Sequence, residues 1–228
     1  MNKRNIIILL IISTLLSLAF IFLGYWGITR YIILHMQSTE NFINKYEKLP
    51  TYNTKNVSII ISTEPEKINS LKPLNNSILN QTMKVNRIIL TLSQKNSDQT
   101  NLIPEYMKKV IGIYDMGKNS KNWCRDVLPI LLSEEEEDST LIILKDDTVY
   151  GMDFVEKLLT ESEKNPDSLL VASKNNAILL KPTHYNYEDI SKNKGTCDEK
   201  WLLNNAKQVK HIKYMENYKL VFPPSSKL

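Results

Sequence analysis

Two adjacent aspartates, Asp146 and Asp147, stand directly after an apolar run in the segment TLIILKDDTVYGMDFVEKLL, residues 140–159. Carboxylates at a strand end are hard oxygen donors that can hold Mg2+ or Mn2+ and share the ion with a phosphate. An ion placed there neutralises a departing diphosphate. The same pair also suits an Asx turn between a strand and a helix, with the carboxylates bonded to nearby backbone. Both readings stand until the surrounding elements are known. Lys145 adds a positive charge immediately before the pair.

The elements follow from the apolar pattern. NVSIIIST (56–63), VNRIILTLSQ (85–94), KVIGIYDM (109–116) and STLIILKDD (139–147) read as strands. Their apolar runs are nearly continuous, as expected where both faces of a sheet are covered. INSLKPLNNSILNQT (68–82), SKNWCRDVLPILLSE (120–134) and DFVEKLLTESEK (153–164) read as helices. Asp153, with Glu156 three residues on, has the pattern of a capping box. SLLVASKNNAILLKP (168–182) reads as a hairpin of two short strands and CDEKWLLNNAKQV (197–209) as a helix. One last strand is expected after His211, before a Pro/Ser tail. Strands alternating with helices predict an α/β fold, a mostly parallel sheet with helices on both faces. In such sheets ligands gather beyond the carboxyl ends of the strands, where the two aspartates fall.

The 228 residues divide into an anchor (1–30), a stem (31–54), one α/β domain (55–220) and a tail (221–228). Residues 6–28 are apolar over roughly the length that crosses a hydrocarbon core of about 30 Å. Tyr25 and Trp26 suit its interface. No A-x-A-like cleavage site follows, so the segment reads as an uncleaved signal anchor, with cleavage as the alternative. Lys3 and Arg4 before the span, against Arg30 after it, favour a type II topology with the domain lumenal or extracytoplasmic. The sequons at Asn56, Asn75 and Asn80 are compatible with that address. The formal charge of +4 is spread along the chain. No basic patch interleaved with aromatics points to nucleic acid. Cys124 and Cys197 lack zinc-site spacing and read as core thiols or, in an oxidising compartment, a disulfide. The acidic run Glu134–Asp138 reads as a solvated loop.

Read in order, these segments resemble a nucleotide-sugar glycosyltransferase of the GT-A (Rossmann-like) fold, broadly of the family 2 kind. VSIIISTEPEKINSLKPLNNSILNQT resembles the opening strand, turn and helix. IYDMGKNSKNWCRDVLPIL resembles the segment in which a glycine and a Ser-Lys pair precede a helix, here Gly117, Ser120 and Lys121. KDDTVYGMDFVEKLL resembles the metal-binding segment, and GTCDEKWLLNN the late acidic motif beside the acceptor. The resemblance covers about residues 55–215.

It implies a nucleotide-diphosphate sugar as donor, a divalent cation (Mn2+ or Mg2+), and a glycan or a protein or lipid acceptor. Asp147 matches the metal ligand and Asp146 the middle acidic position. Thr63 and Glu64 match the place where the first strand meets the nucleotide. Lys121 matches a lysine aimed at nucleotide or phosphate, or else is a solvated lysine at a helix start. Asp198 and Glu199 match the pair that supplies the general base for the acceptor hydroxyl, or else cap a helix. Trp201 beside them is a stacking surface for a sugar or a buried helix residue. His184 stands where a late histidine sometimes completes the metal shell; like His211, it reads more simply as a surface residue. Two positions depart from the pattern. Lys145 replaces the first acidic residue, and Lys67 an arginine, whose bidentate fork a lysine lacks. Two function classes remain open: a membrane-anchored transferase, and a GT-A-like module without catalysis that binds a glycan or a partner protein.

Overall fold

In the computed structural model the described residues are 3–25, 28–51, 56–94, 103–118, 130–131, 139–172, 177–186 and 199–212. Seven strands form one sheet: β1 (Val57–Thr63), β2 (Arg87–Gln94), β3 (Gly112–Lys118), β4 (Thr140–Leu144), β5 (Leu169–Ala172), β6 (Ala177–Leu180) and β7 (Val209–Ile212). Their order is β3-β2-β1-β4-β6-β5-β7. The half from β3 to β4 is wholly parallel. β6 then runs antiparallel to both β4 and β5, and β7 parallel to β5. The sheet is therefore mixed, with its parallel pairs concentrated in the first half.

Alternation along the strands separates two cores. Val57, Ile59 and Ile61 of β1 face one side with Ile88, Leu90, Ile142 and Leu144. Ile60, Ile89, Leu141 and Ile143 face the other. Successive side chains of a strand point to opposite faces, so an unbroken apolar run fills both. The first side is covered by α4 (Lys72–Leu79) and α6 (Phe154–Lys164), with the short α5 (Glu105–Lys108). The second is covered in part by α7 (Glu199–Asn205), whose Leu202 is fully buried.

α1 (Lys3–Tyr25) is exposed from Lys3 to Phe22 and is long and apolar enough there to cross a membrane, which makes it a candidate anchor. The stretch read as a stem is more than a spacer. α2 (Ile28–Met36) and α3 (Thr39–Tyr46) insert Leu34, Phe42, Ile43 and Tyr46 into the first core. Burying such side chains contributes roughly 1.5–3 kcal/mol each. The exposed Lys109–Glu40 ion pair that also ties α3 down adds under about 1 kcal/mol. Apolar packing holds this segment. The Tyr46 hydroxyl accepts a hydrogen bond of 2.9 Å from the Val85 amide, and burial pushes its pKa to about 12. Beyond α3, Lys84 donates its amide to the Pro50 carbonyl at 3.0 Å.

Candidate functional site

β1 and β4 are neighbours, yet the chain leaves β1 towards β2 and β3 on one side and returns to β4 on the other. Such a switch of direction opens a crevice beyond the carboxyl ends of the two strands. Ile61 and Leu144 are the last paired residues. Two residues further on, Thr63 and Asp146 meet: the Thr63 hydroxyl donates to Asp146 Oδ2 at 2.9 Å. The same oxygen receives the Lys67 ammonium at 3.3 Å. Thr63 is buried and the Asp146 side chain 15% exposed, whereas Lys67 is 48% exposed. Lys67 is placed by a 3-10 turn, Pro65–Ser70, that begins straight after Glu64. Pro65 presets its first dihedral, and the Lys67 amide donates to the Glu64 carbonyl at 2.9 Å. Glu64 itself is exposed.

The second wall is the loop from Lys145 to Asp153, held along most of its length by α4 and the turn that follows it. The Tyr150 hydroxyl accepts from the Lys145 amide at 3.0 Å, closing the turn that contains both aspartates. The Tyr150 amide donates to Ser77 Oγ at 3.2 Å, and its carbonyl accepts from Arg30 Nη2 at 3.1 Å. Its ring lies 4.7 Å from that of Phe154. Gln81 bridges the loop and α6, donating to the Gly151 carbonyl at 2.6 Å and accepting from the Val155 amide at 3.0 Å. The Thr82 amide bonds the Met152 carbonyl at 2.8 Å, and its hydroxyl bonds Glu156 at 2.7 Å. Glu156 is thus engaged with Thr82, and Asp153 makes no side-chain cap but pairs with Lys157, so the capping box read from the sequence does not form. The i,i+4 lysine competes for the carboxylate the cap would need.

Of the two aspartates, Asp147 is exposed, and Oδ1 accepts from the neighbouring Thr148 hydroxyl at 3.1 Å. This bond has the local character of a turn, and Asp146 has the long-range bonds of a site. Among the described residues, Asp146 Oδ1 and Asp147 Oδ2 make no hydrogen bond. A Mg2+ ion at these two carboxylates would take most of its shell from phosphate and water. The carboxylates do not make an all-protein cage: among the described residues no group of three or more histidine, cysteine or acidic side chains converges.

The other expected site residues fare differently. Lys121 and Asp198, with Cys124 and Cys197, lie outside the described residues. Glu199 is the first residue of α7. Trp201 is half-buried against the second core. His184 is neither a surface residue nor an open ligand. It is 1% exposed, its Nδ1 accepts the Lys181 amide at 3.2 Å, and Nε2 lies 3.0 Å from the Pro166 carbonyl. That assignment makes Nε2 the protonated nitrogen, and both ring positions are used by backbone. Burial lowers its pKa below the usual histidine value. Asn75, the acceptor of one sequon, is 1% exposed and closed to glycosylation in the folded chain. Lys67, read from the sequence as standing in place of an arginine, lies at the site; Tyr150, Arg30 and Gln81 help to build it although the sequence assigned them no role in it. The Y of DDTVYG was the one available signal.

No protein-family model matches the sequence, and no curated protein sequence does. Solved structures do match. S. aureus TarS 1-349 superposes with a TM-score of 0.50 at 13% identity, over 69% of this chain and 58% of that one. The glycosyltransferase GlyE of Streptococcus pneumoniae TIGR4 gives 0.48 at 14% identity, over 70% and 45%. The 4-diphosphocytidyl-2C-methyl-D-erythritol synthase of Anaerococcus prevotii DSM 20548 gives 0.43 at 10%, over 70% and 87%. The chain thus spans 58% of the TarS structure it matches. At such identities the likeness is one of fold. The fold is a mixed α/β sheet with flanking helices, similar over 69% of this chain to that of S. aureus TarS 1-349.

Proposed function

We propose that the chain is a membrane-anchored glycosyltransferase that moves a sugar from a nucleotide-diphosphate donor to an acceptor hydroxyl. The observation that carries this reading is the meeting of Thr63, Lys67 and Asp146 at the β1/β4 crevice, the position where an α/β sheet takes its ligand. In this reading Thr63 and Glu64 border the nucleotide. Lys67, half-exposed beside the crevice, is a mobile point charge for phosphate. Asp146 orients Lys67, and Asp147 is the side chain most open to a divalent cation. A bound Mg2+ or Mn2+ would supply charge neutralisation for the departing diphosphate. Asp198 or Glu199 would take the proton of the acceptor hydroxyl as it attacks the anomeric carbon. The candidate anchor α1 would hold the domain on the lumenal or extracytoplasmic side.

One observation favours a second reading, a module that binds without catalysis. Lys145 adds positive charge next to the carboxylates and Lys67 offsets the negative charge of Asp146, which disfavours a cation. Titration of the full chain in detergent with nucleotide diphosphates, with and without Mn2+, separates the two. The transferase reading expects metal-dependent binding weakened roughly 10- to 100-fold in Asp147→Ala, the loss of one charged contact of about 1.5–3 kcal/mol. A folded protein that binds no nucleotide in either condition overturns it.

A further inference from the structure

We propose that α2 is a membrane-docking element whose outer face lies in the headgroup region of a bilayer, so that the α/β domain rests on the membrane. The inference does not depend on the glycosyl-transfer reading. After α1, the large apolar side chains exposed among the described residues are Ile32, Ile33, Met36, Met152 and Val209. Three of the five fall within the nine residues of α2, at 45%, 50% and 75% exposure. Their spacing of i, i+1 and i+4 puts them on one side of a helix with 3.6 residues per turn. No Lys, Arg, Asp or Glu interrupts that side, where a solvated helix would carry them. The only such residue in α2, Arg30, is turned to the loop after β4 and bonds the Tyr150 carbonyl at 3.1 Å.

α2 cannot roll this face inward. Its other side carries the buried Leu34, and the Leu34 carbonyl accepts from Asn76 Nδ2 at 2.7 Å. Tyr31 packs partly buried against the same core. The occupant follows from position in the chain. α2 begins three residues after the last residue of α1, the helix long and apolar enough to cross a bilayer. Whatever surface α1 emerges from is the nearest apolar medium to Ile32, Ile33 and Met36. Apolar groups of an interfacial helix settle at the boundary of headgroups and acyl chains. Through Arg30 and Tyr150, the loop bearing Asp146 and Asp147 is fixed to the docking helix.

The test uses the full chain in phosphatidylcholine vesicles, with Cys124→Ser and Cys197→Ser as background. Single cysteines carrying an environment-sensitive fluorophore are placed by Ile32→Cys, Ile33→Cys and Met36→Cys, with Lys45→Cys and Glu66→Cys as exposed controls. Lipids spin-labelled near the headgroup should quench the three α2 positions about threefold or more over the controls, and Met36 as strongly as Ile32. Quenching that falls steadily from Ile32 to Met36 would mean that the helix stands off the bilayer, and overturns the proposal. Equal access of aqueous iodide to all five positions overturns it as well. Protection from both lipid and iodide quenchers would assign the face to a second protein chain instead.

Discussion

Asp146 and His184 look alike as sequence features. Each is a potential metal ligand placed just after an apolar strand, Asp146 beyond β4 and His184 beyond β6. The structure treats them in opposite ways. Asp146 lies where two parallel strands end side by side, and its bonds come from side chains of other elements. His184 lies beyond an antiparallel strand, and its bonds go to backbone at Lys181 and Pro166. A parallel pair sends both strand ends, and both following loops, to one edge of the sheet. A hairpin returns the chain at once and leaves its polar residues to close the turn. In the proposed reading the donor is held at the parallel half, and His184 serves only to close the chain beyond the antiparallel strand.

The comparison fails first if the parallel half is not built rigidly. Tyr150→Ala removes a fully buried ring together with the hydroxyl that accepts from the Lys145 amide, and should lower the unfolding free energy by roughly 3–5 kcal/mol. Tyr150→Phe, which deletes only the bond to the Lys145 amide, should cost about 1 kcal/mol. Guanidinium unfolding in detergent measures both. A loss below that of the phenylalanine variant in Tyr150→Ala would show the loop to be held by something else.

His184 sharpens the contrast through pH. Its pKa is lowered in the fold, chiefly by burial. Below the usual histidine value near 6.5 the unfolded chain takes up a proton that the folded chain resists, so stability is present above that pH and is lost as pH falls. One proton gives a slope of at most about 1.4 kcal/mol per pH unit. His184→Gln should flatten the curve between pH 7 and 5 relative to the parent; an unchanged slope would return His184 to the list of accessible groups. The smallest effect belongs to Lys67→Ala. The pair is half in water, so stability should change by less than about 1 kcal/mol, while nucleotide affinity and its salt dependence both fall. A large stability loss would make Lys67 part of the support rather than of the site.

Much of this was legible in the residues. The runs at Val57–Thr63, Arg87–Gln94 and Thr140–Leu144 are strands as read, because an apolar stretch with both faces buried has few other solutions. The hairpin of β5 and β6 is also where the sequence puts it. The packing of residues 31–51 was not legible, since Leu34, Phe42, Ile43 and Tyr46 are scattered among polar residues with no clear period. In the candidate site, the aspartate pair announced itself by its place after β4. Thr63 was expected at the same edge through the resemblance and Lys67 as a departure from it, but their contact with Asp146 was not legible: they lie 83 and 79 residues away, and only the strand order brings them together. The burial of His184 had no local signal either, because the carbonyl it meets belongs to Pro166 on another turn.

The register of β1 against β4 has a consequence for how this chain can change length. Ile61 faces Leu144, and Thr63 and Asp146 follow two steps later on the same side. A deletion or insertion of one residue within either strand would turn every later side chain to the opposite face. Glu64 or Ser62 would then replace Thr63, or Lys145 would replace Asp146, at the mouth of the crevice. The loops that join the strands carry no such parity. Viable length variants of this protein should therefore keep both strand lengths fixed and confine their additions and losses to the connecting segments.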